Sequence, residues 1–220
     1  MKKTVTIGTR QIHLCGSEDA SVLILEPLEK DGDPEAVPSL IEEKTDVPFL
    51  YAAYPVEDWN SELSPWKADP IFGKVPFEGE AEKTLSVLEE VLRELKKDHP
   101  FDTVFLGGYS LAGLFALYAS YSSDSFDGIA AVSPSVWFDG FREFAEDHEC
   151  HAEQVYLSLG DREHLTKNKR MATVRDNIES ITSLLKEKAY LEYNPGNHFT
   201  DPEKRTAKGF TYLLNKRAHR

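Results

Sequence analysis

Two periodicities alternate along the chain. Short apolar runs at residues 21–25, 48–54, 103–107, 129–132, 154–159 and 190–193 have the length and the β-branched or aromatic content of strands. Between several of them the apolar residues recur every three or four positions instead. Ala81, Leu85, Leu88, Val91, Leu92 and Leu95 fall on one face of a helix over 80–97, which His99-Pro100 ends. Residues 111–121 are apolar nearly all round and predict a buried helix. Met171, Val174, Ile178, Ile181 and Leu185 mark another, and residues 202–216 a terminal one. Shorter helices are expected at 38–43 and 138–147, and a hairpin at 4–7 and 11–15. This rhythm predicts one α/β domain over 1–220, with a mostly parallel central sheet and helices on both faces.

Residues 55–79 break the rhythm. They show no clear period, yet they hold Trp59, Trp66, Phe72 and Phe77. A long irregular connection with four large aromatics is expected to be ordered and functional rather than disordered. It leaves the carboxyl end of a strand, so Trp59 and Trp66 are candidates for a substrate pocket, with core packing as the competing role.

Composition narrows the class. Of 220 residues, 40% are hydrophobic and 29% charged, ordinary values for a globular domain. The net charge of −13 argues against a nucleic-acid partner and against an anionic membrane surface. No apolar run nears the roughly 18 residues of a membrane span, so no membrane association is expected. Met1-Lys2-Lys3 lacks a following apolar segment, and Cys15 and Cys150 are too few for a disulfide framework. A cytoplasmic protein with free thiols is expected. His148, Cys150 and His151 match no common zinc spacing, so no metal is anticipated.

The chemistry concentrates in Gly107-Gly-Tyr-Ser-Leu-Ala-Gly113. A strand stops at the glycines, Ser110 takes a sharp turn, and a helix begins at once. Gly108 and Ala112 permit the close strand–helix approach that such a turn requires. The serine hydroxyl is then exposed at the carboxyl end of a central strand, and the amide of Leu111 is aimed to stabilise an oxyanion. The segment lacks the lysine and the glycine spacing of a phosphate loop. A serine needs a base, and in this arrangement the base follows the last strand. Asn194-Pro-Gly-Asn-His198 lies there, and of seven histidines only His198 is so placed. The acid should follow the strand 154–159, where Asp161 and Glu163 both qualify. Glu163 is preferred for its reach, with Asp161 as the alternative. Tyr109 and Trp137 join Trp59 and Trp66 as candidate substrate-binding residues, Trp137 being divided between packing and pocket.

Four pieces, Gly107-Gly-Tyr-Ser-Leu-Ala-Gly113, Ser133-Pro-Ser-Val-Trp137, Gly160-Asp-Arg-Glu163 and Pro195-Gly-Asn-His198, occur in order over about half the chain. In these the sequence resembles the esterase branch of the α/β-hydrolases, which includes esterase D-like and enterochelin-esterase-like enzymes. The resemblance implies an α/β-hydrolase fold without a large lid domain. It implies cofactor-free hydrolysis of small or medium acyl esters or thioesters through an acyl-enzyme. Ser110 would be nucleophile, His198 base, and Ser133-Pro-Ser-Val-Trp137 a pocket wall. Two departures stand out. Where relatives often carry Asp-Gly, this chain has Leu25-Glu-Pro-Leu28, and because Pro27 has no amide hydrogen, Leu28 becomes the candidate second oxyanion donor. Some enterochelin-type relatives also work with a Ser–His pair and no strong acid. An acyltransferase and a binding protein that has lost catalysis are the alternatives. Oligomeric state and the substrate's acyl and alcohol parts are not legible.

Overall fold

A computed structural model describes residues 1–71 and 73–218. Eight strands form one sheet: β1 Lys2–Ile7, β2 Arg10–Gly16, β3 Val22–Glu29, β4 Leu50–Val56, β7 Thr103–Tyr109, β8 Gly128–Val132, β9 Gln154–Gly160 and β10 Ala189–Asn194. Their order is β1-β2-β4-β3-β7-β8-β9-β10. β1 and β2 form the expected hairpin, β2 runs antiparallel to β4, and every later pairing is parallel. The central strands are buried on both faces, which is why they read as continuous apolar runs rather than alternating ones.

Two helical layers cover the sheet. α1 Ala36–Glu42 and α7 Pro202–Ala218 pack Val37, Ile41, Ala207, Phe210 and Leu214 onto Val22, Ile24, Tyr51 and Phe105. The other face carries α3 Ala81–Asp98, α4 Leu111–Ser122, α5 Phe141–Asp147 and α6 Val174–Leu185 against Leu23, Leu25, Ala52, Leu106 and Leu157. α4 lies at the centre of that layer, with ten of its twelve residues buried, which explains its lack of a polar face.

Three expectations need revision. β3 continues to Glu29, not Leu25, so Leu28 stands in the strand, opposite Pro55. Beyond Leu25 no pairing to β7 continues, and a strand paired on one side tolerates the missing amide hydrogen of Pro27. α5 starts at Phe141, three residues late, because Gly140 first turns the chain at φ 81°. Residues 55–79 are not wholly irregular: they hold the short helix α2 Trp59–Leu63 and the paired strands β5 Lys67–Ala68 and β6 Phe77–Glu78. Elements this short show no periodicity. Asp58 caps α2 by accepting from the Ser61 amide at 3.0 Å, and Glu62 receives Arg10 at 2.8 Å. Phe72 lies outside the described residues. Among the described residues no helix is long and apolar enough to cross a membrane.

Candidate active site

Ser110 stands between β7 and α4 with φ 58° and ψ −117°, a conformation that residues with side chains rarely adopt. Neighbouring backbone holds it there. The Ser110 amide donates to the Val132 carbonyl at 3.0 Å, and the Ser110 carbonyl accepts from Ser135 at 3.0 Å and Leu114 at 3.1 Å. The predicted close approach is present: a Cβ on Gly108 would lie 2.6 Å from that of Ala112. The Leu111 amide belongs to the first turn of α4, whose amides have no partner within the helix. Leu28 lies with Ser110 on the wall of one cleft, but its amide is committed to the Tyr54 carbonyl, because Pro27 and Pro55 have no amide hydrogen to carry the β3–β4 pairing there; it is not the second oxyanion donor expected from sequence.

The structure brings His198 and Glu163 to this serine. His198 Nε2 is 3.0 Å from Ser110 Oγ, and His198 Nδ1 is 2.7 Å from Glu163 Oε2. The ionised carboxylate selects the tautomer with hydrogen on Nδ1, which leaves Nε2 free to accept from the serine. Tyr109 donates from its hydroxyl to the His198 carbonyl at 2.6 Å and so steadies the histidine backbone.

Glu163 is embedded in donors, its side chain 3% exposed. Its Oε1 accepts from Ser133 Oγ at 2.6 Å, the Gly160 amide at 2.6 Å and Arg205 Nη1 at 3.3 Å. Burial alone would raise this carboxyl. The hydrogen bond and charge of His198, then the Ser133 hydroxyl and the Gly160 amide, outweigh it and hold the group below the usual carboxylate range. Asp161 is placed differently. Its Oδ1 accepts from the Gly196 amide at 2.9 Å, so it shapes the histidine loop without meeting the imidazole.

Four polar residues here have roles that sequence reasoning did not assign. Ser133, held at φ 43°, serves Glu163, and Ser135 Oγ lies 3.3 Å from Ser110 Oγ. Arg205 is 4% exposed and also donates to the Pro195 carbonyl at 2.9 Å. A signal for it existed: Arg205, Gly209 and Leu213 share one buried helical stripe, and a charge on such a stripe needs a partner. The fourth is Glu26 on β3. It is 4% exposed, it accepts a hydrogen bond from Tyr51, and it lines the Ser110 cleft.

Burial pushes the Glu26 carboxyl up to about 8, with the charge of Glu203 adding to the rise and the Tyr51 hydroxyl opposing it. The folded protein therefore keeps this proton up to about pH 8, whereas the unfolded chain releases it above the ordinary 4.5. Stability should fall as pH rises across that interval, by at most about 5 kcal/mol from this group. Glu26→Gln removes the linkage. The variant should unfold at a higher temperature than the wild type at pH 9 and at a similar one near pH 4.5; an equal difference at both pH values would refute the assignment.

The cleft beside Ser110 holds about 320 Å³. Trp59, Tyr109 and Leu28 line it together with Glu26, Glu203 and Ser110. Trp66 and Trp137 do not, a correction to the pocket expected from sequence. Trp66 packs on Phe138, Phe141 and Phe144 at ring separations of 5.9, 6.4 and 5.6 Å and donates to the Asp139 carbonyl at 2.9 Å. Trp137 packs on Phe77 and Phe138 under the Arg170 guanidinium. Trp66→Ala is accordingly expected to lower stability by roughly 2–3 kcal/mol, less than for a fully buried aromatic. Acyl-chain preference should not change, and a shifted preference at intact stability would return Trp66 to the pocket.

No family model matches the sequence, and no curated protein matches it. Solved structures do. Siderophore hydrolase EstA from Aspergillus nidulans superposes with a TM-score of 0.74 at 19% identity, over 98% of this chain and 94% of that one. An IroE-like serine hydrolase from Shewanella oneidensis gives 0.77 at 14% identity, over 98% and 80%. The enterobactin esterase Fes from Shigella flexneri gives 0.74 at 16% identity, and there 98% of this chain spans 59% of the other. Strand order, helical layers and these superpositions agree: the chain has the α/β-hydrolase fold.

Proposed function

We propose that this protein is a serine carboxylic-ester hydrolase that turns over small or medium acyl esters, or thioesters, through an acyl-enzyme. The observation that carries the reading is the unbroken path from Ser110 Oγ through His198 to Glu163, at 3.0 and 2.7 Å, on a strained turn at the head of a helix.

His198 Nε2 takes the hydroxyl proton as Ser110 Oγ attacks the ester carbonyl. The carbonyl oxygen becomes an oxyanion and is met by the Leu111 amide at the head of α4. Glu163 stabilises the imidazolium without itself being protonated. When the tetrahedral centre collapses, His198 returns the proton to the leaving alcohol or thiol, and Ser110 is left acylated. Water then adds through the same base, the acid departs and Ser110 is restored. No step calls for a metal or cofactor. The solved structures named above are a siderophore hydrolase, an IroE-like serine hydrolase and an enterobactin esterase, which agrees with this chemistry.

Labelling with a fluorophosphonate, mapped by mass spectrometry, combined with p-nitrophenyl esters of graded acyl length, tests the proposal. The label should sit on Ser110, with hydrolysis strongest for short or medium chains. Absence of both label and hydrolysis would return the protein to a binding role. Ester products formed only with an added alcohol would make it an acyltransferase.

A further inference from the structure

From the wall of the same cleft, and resting on the esterase reading above, we infer that the acyl half of the substrate carries a positively charged ammonium group that docks at Glu26.

The first observation is Glu26 itself. Nothing in the Ser110–His198–Glu163 chemistry uses a second buried carboxyl, yet β3 carries one into the cleft that holds the serine. Burying a carboxyl is unfavourable unless its oxygens are satisfied. Tyr51 engages Oε2, and no described residue donates a hydrogen bond to Oε1. That oxygen is left for a donor that arrives with the substrate. The raised affinity of Glu26 for its proton fits the same picture, since burial favours the neutral group and a cation would draw it into the ionised form.

The second observation is the sign of the surroundings. Glu29, Asp33 and Glu203 also line the cleft, and no Lys, Arg or His is among its lining residues. The basic residues nearest in sequence are engaged elsewhere. Lys30 pairs with Glu57 at 2.7 Å, Lys204 with Asp201 at 3.1 Å, and Arg205 with Glu163. Trp59 adds an aromatic wall, whose face attracts cations. An anionic acyl group would meet four carboxyl groups and no counter-charge.

Position assigns the cation to the acyl half. The leaving alcohol must receive its proton from His198, which follows β10 and lies on the β8–β10 side of Ser110. The cleft is walled by β3, α1 and the start of α7, and β3 lies across β7 from those strands. The half of the ester that does not face His198 is the acyl half.

Three p-nitrophenyl esters of matched chain length test this: ω-aminohexanoyl, heptanoyl and the monoester of heptanedioic acid, ending in ammonium, methyl and carboxylate. The wild type should prefer the cationic ester over the neutral one in kcat/KM by about tenfold, the worth of one partly solvated charge-assisted hydrogen bond, and should turn over the anionic ester slowest. Reading the ratio within one enzyme sample cancels losses of folded protein. In Glu26→Gln the cationic-to-neutral ratio should drop to near one. Glu203→Gln, an exposed position with little risk to folding, should reduce the ratio by about two- to threefold. A wild-type ratio at or below one overturns the inference while leaving the esterase reading intact, and so does a ratio that neither substitution changes. If no ester is hydrolysed and Ser110 takes no label, the esterase reading itself has failed, and the inference with it.

Discussion

Ser110→Ala and His198→Ala should each lower ester turnover by on the order of 10⁵–10⁶-fold while leaving the fold intact. Without Oγ there is no acyl-enzyme. Without the imidazole the hydroxyl proton has no acceptor, because Ser135, the other polar side chain bonded to Ser110 Oγ, is itself a hydroxyl. Since the two residues act in one step, the double variant should be little worse than either single one. What survives comes from the oxyanion amide and substrate binding. Circular dichroism and thermal unfolding of the purified variants establish that the fold persists, and a Ser110→Ala sample of verified purity that keeps more than a few per cent of the activity rules the mechanism out. Glu163, held below the usual carboxylate range, stays ionised well below neutral pH and adds no step of its own to the kcat/KM profile near neutrality.

The second large effect separates the two neighbouring acids. Glu163→Gln should reduce turnover by around 10⁴-fold, because an amide can present its NH₂ to Nδ1 and favour the tautomer with hydrogen on Nε2, which cannot accept from the serine. It also deprives Arg205 of its counter-charge in a setting where that side chain is 4% exposed, so a drop in unfolding temperature should accompany the kinetic loss. Asp161→Asn keeps an oxygen able to accept from the Gly196 amide and should lose less than about tenfold. Both are to be measured on one ester at neutral pH, below the unfolding temperature of the weaker variant. The reverse ranking would move the role to Asp161, and two small losses would leave a Ser–His pair.

Legibility in the sequence followed the range of each interaction. The strands and long helices were readable because periodicity is local, and so was the turn at Ser110, where glycines, serine and helix start are contiguous. His198 was readable from its place after the last strand. Choosing between Asp161 and Glu163 depended on a turn. The Glu163 amide donates to the Gly160 carbonyl at 3.1 Å, which folds the side chain back over the strand end, and residue types alone give no hint of that. Ser133 and Arg205 stayed hidden because their bonds to Glu163 cross 30 and 42 residues. Trp66 was left open between pocket and core because an aromatic in an aperiodic connection looks the same whether it fills a pocket or packs on Phe138 and Phe144. Glu26 was seen only as a departure from Asp-Gly; its burial depends on Tyr51 and α7.

Arg205 carries a consequence for the order in which the site comes into being. Its guanidinium joins Tyr109 at the end of β7, Ser133 after β8, Glu163 after β9 and the Pro195 carbonyl after β10. The residue that ties these four strand ends together lies on α7, which follows all four strands in the chain. Until α7 docks, the carboxylate lacks its arginine and the histidine loop is missing one of its anchors. A chain in which α7 is undocked can therefore bury most of its sheet and still lack an ordered Ser110–His198–Glu163 path, which ties the ordering of the site to the docking of that helix.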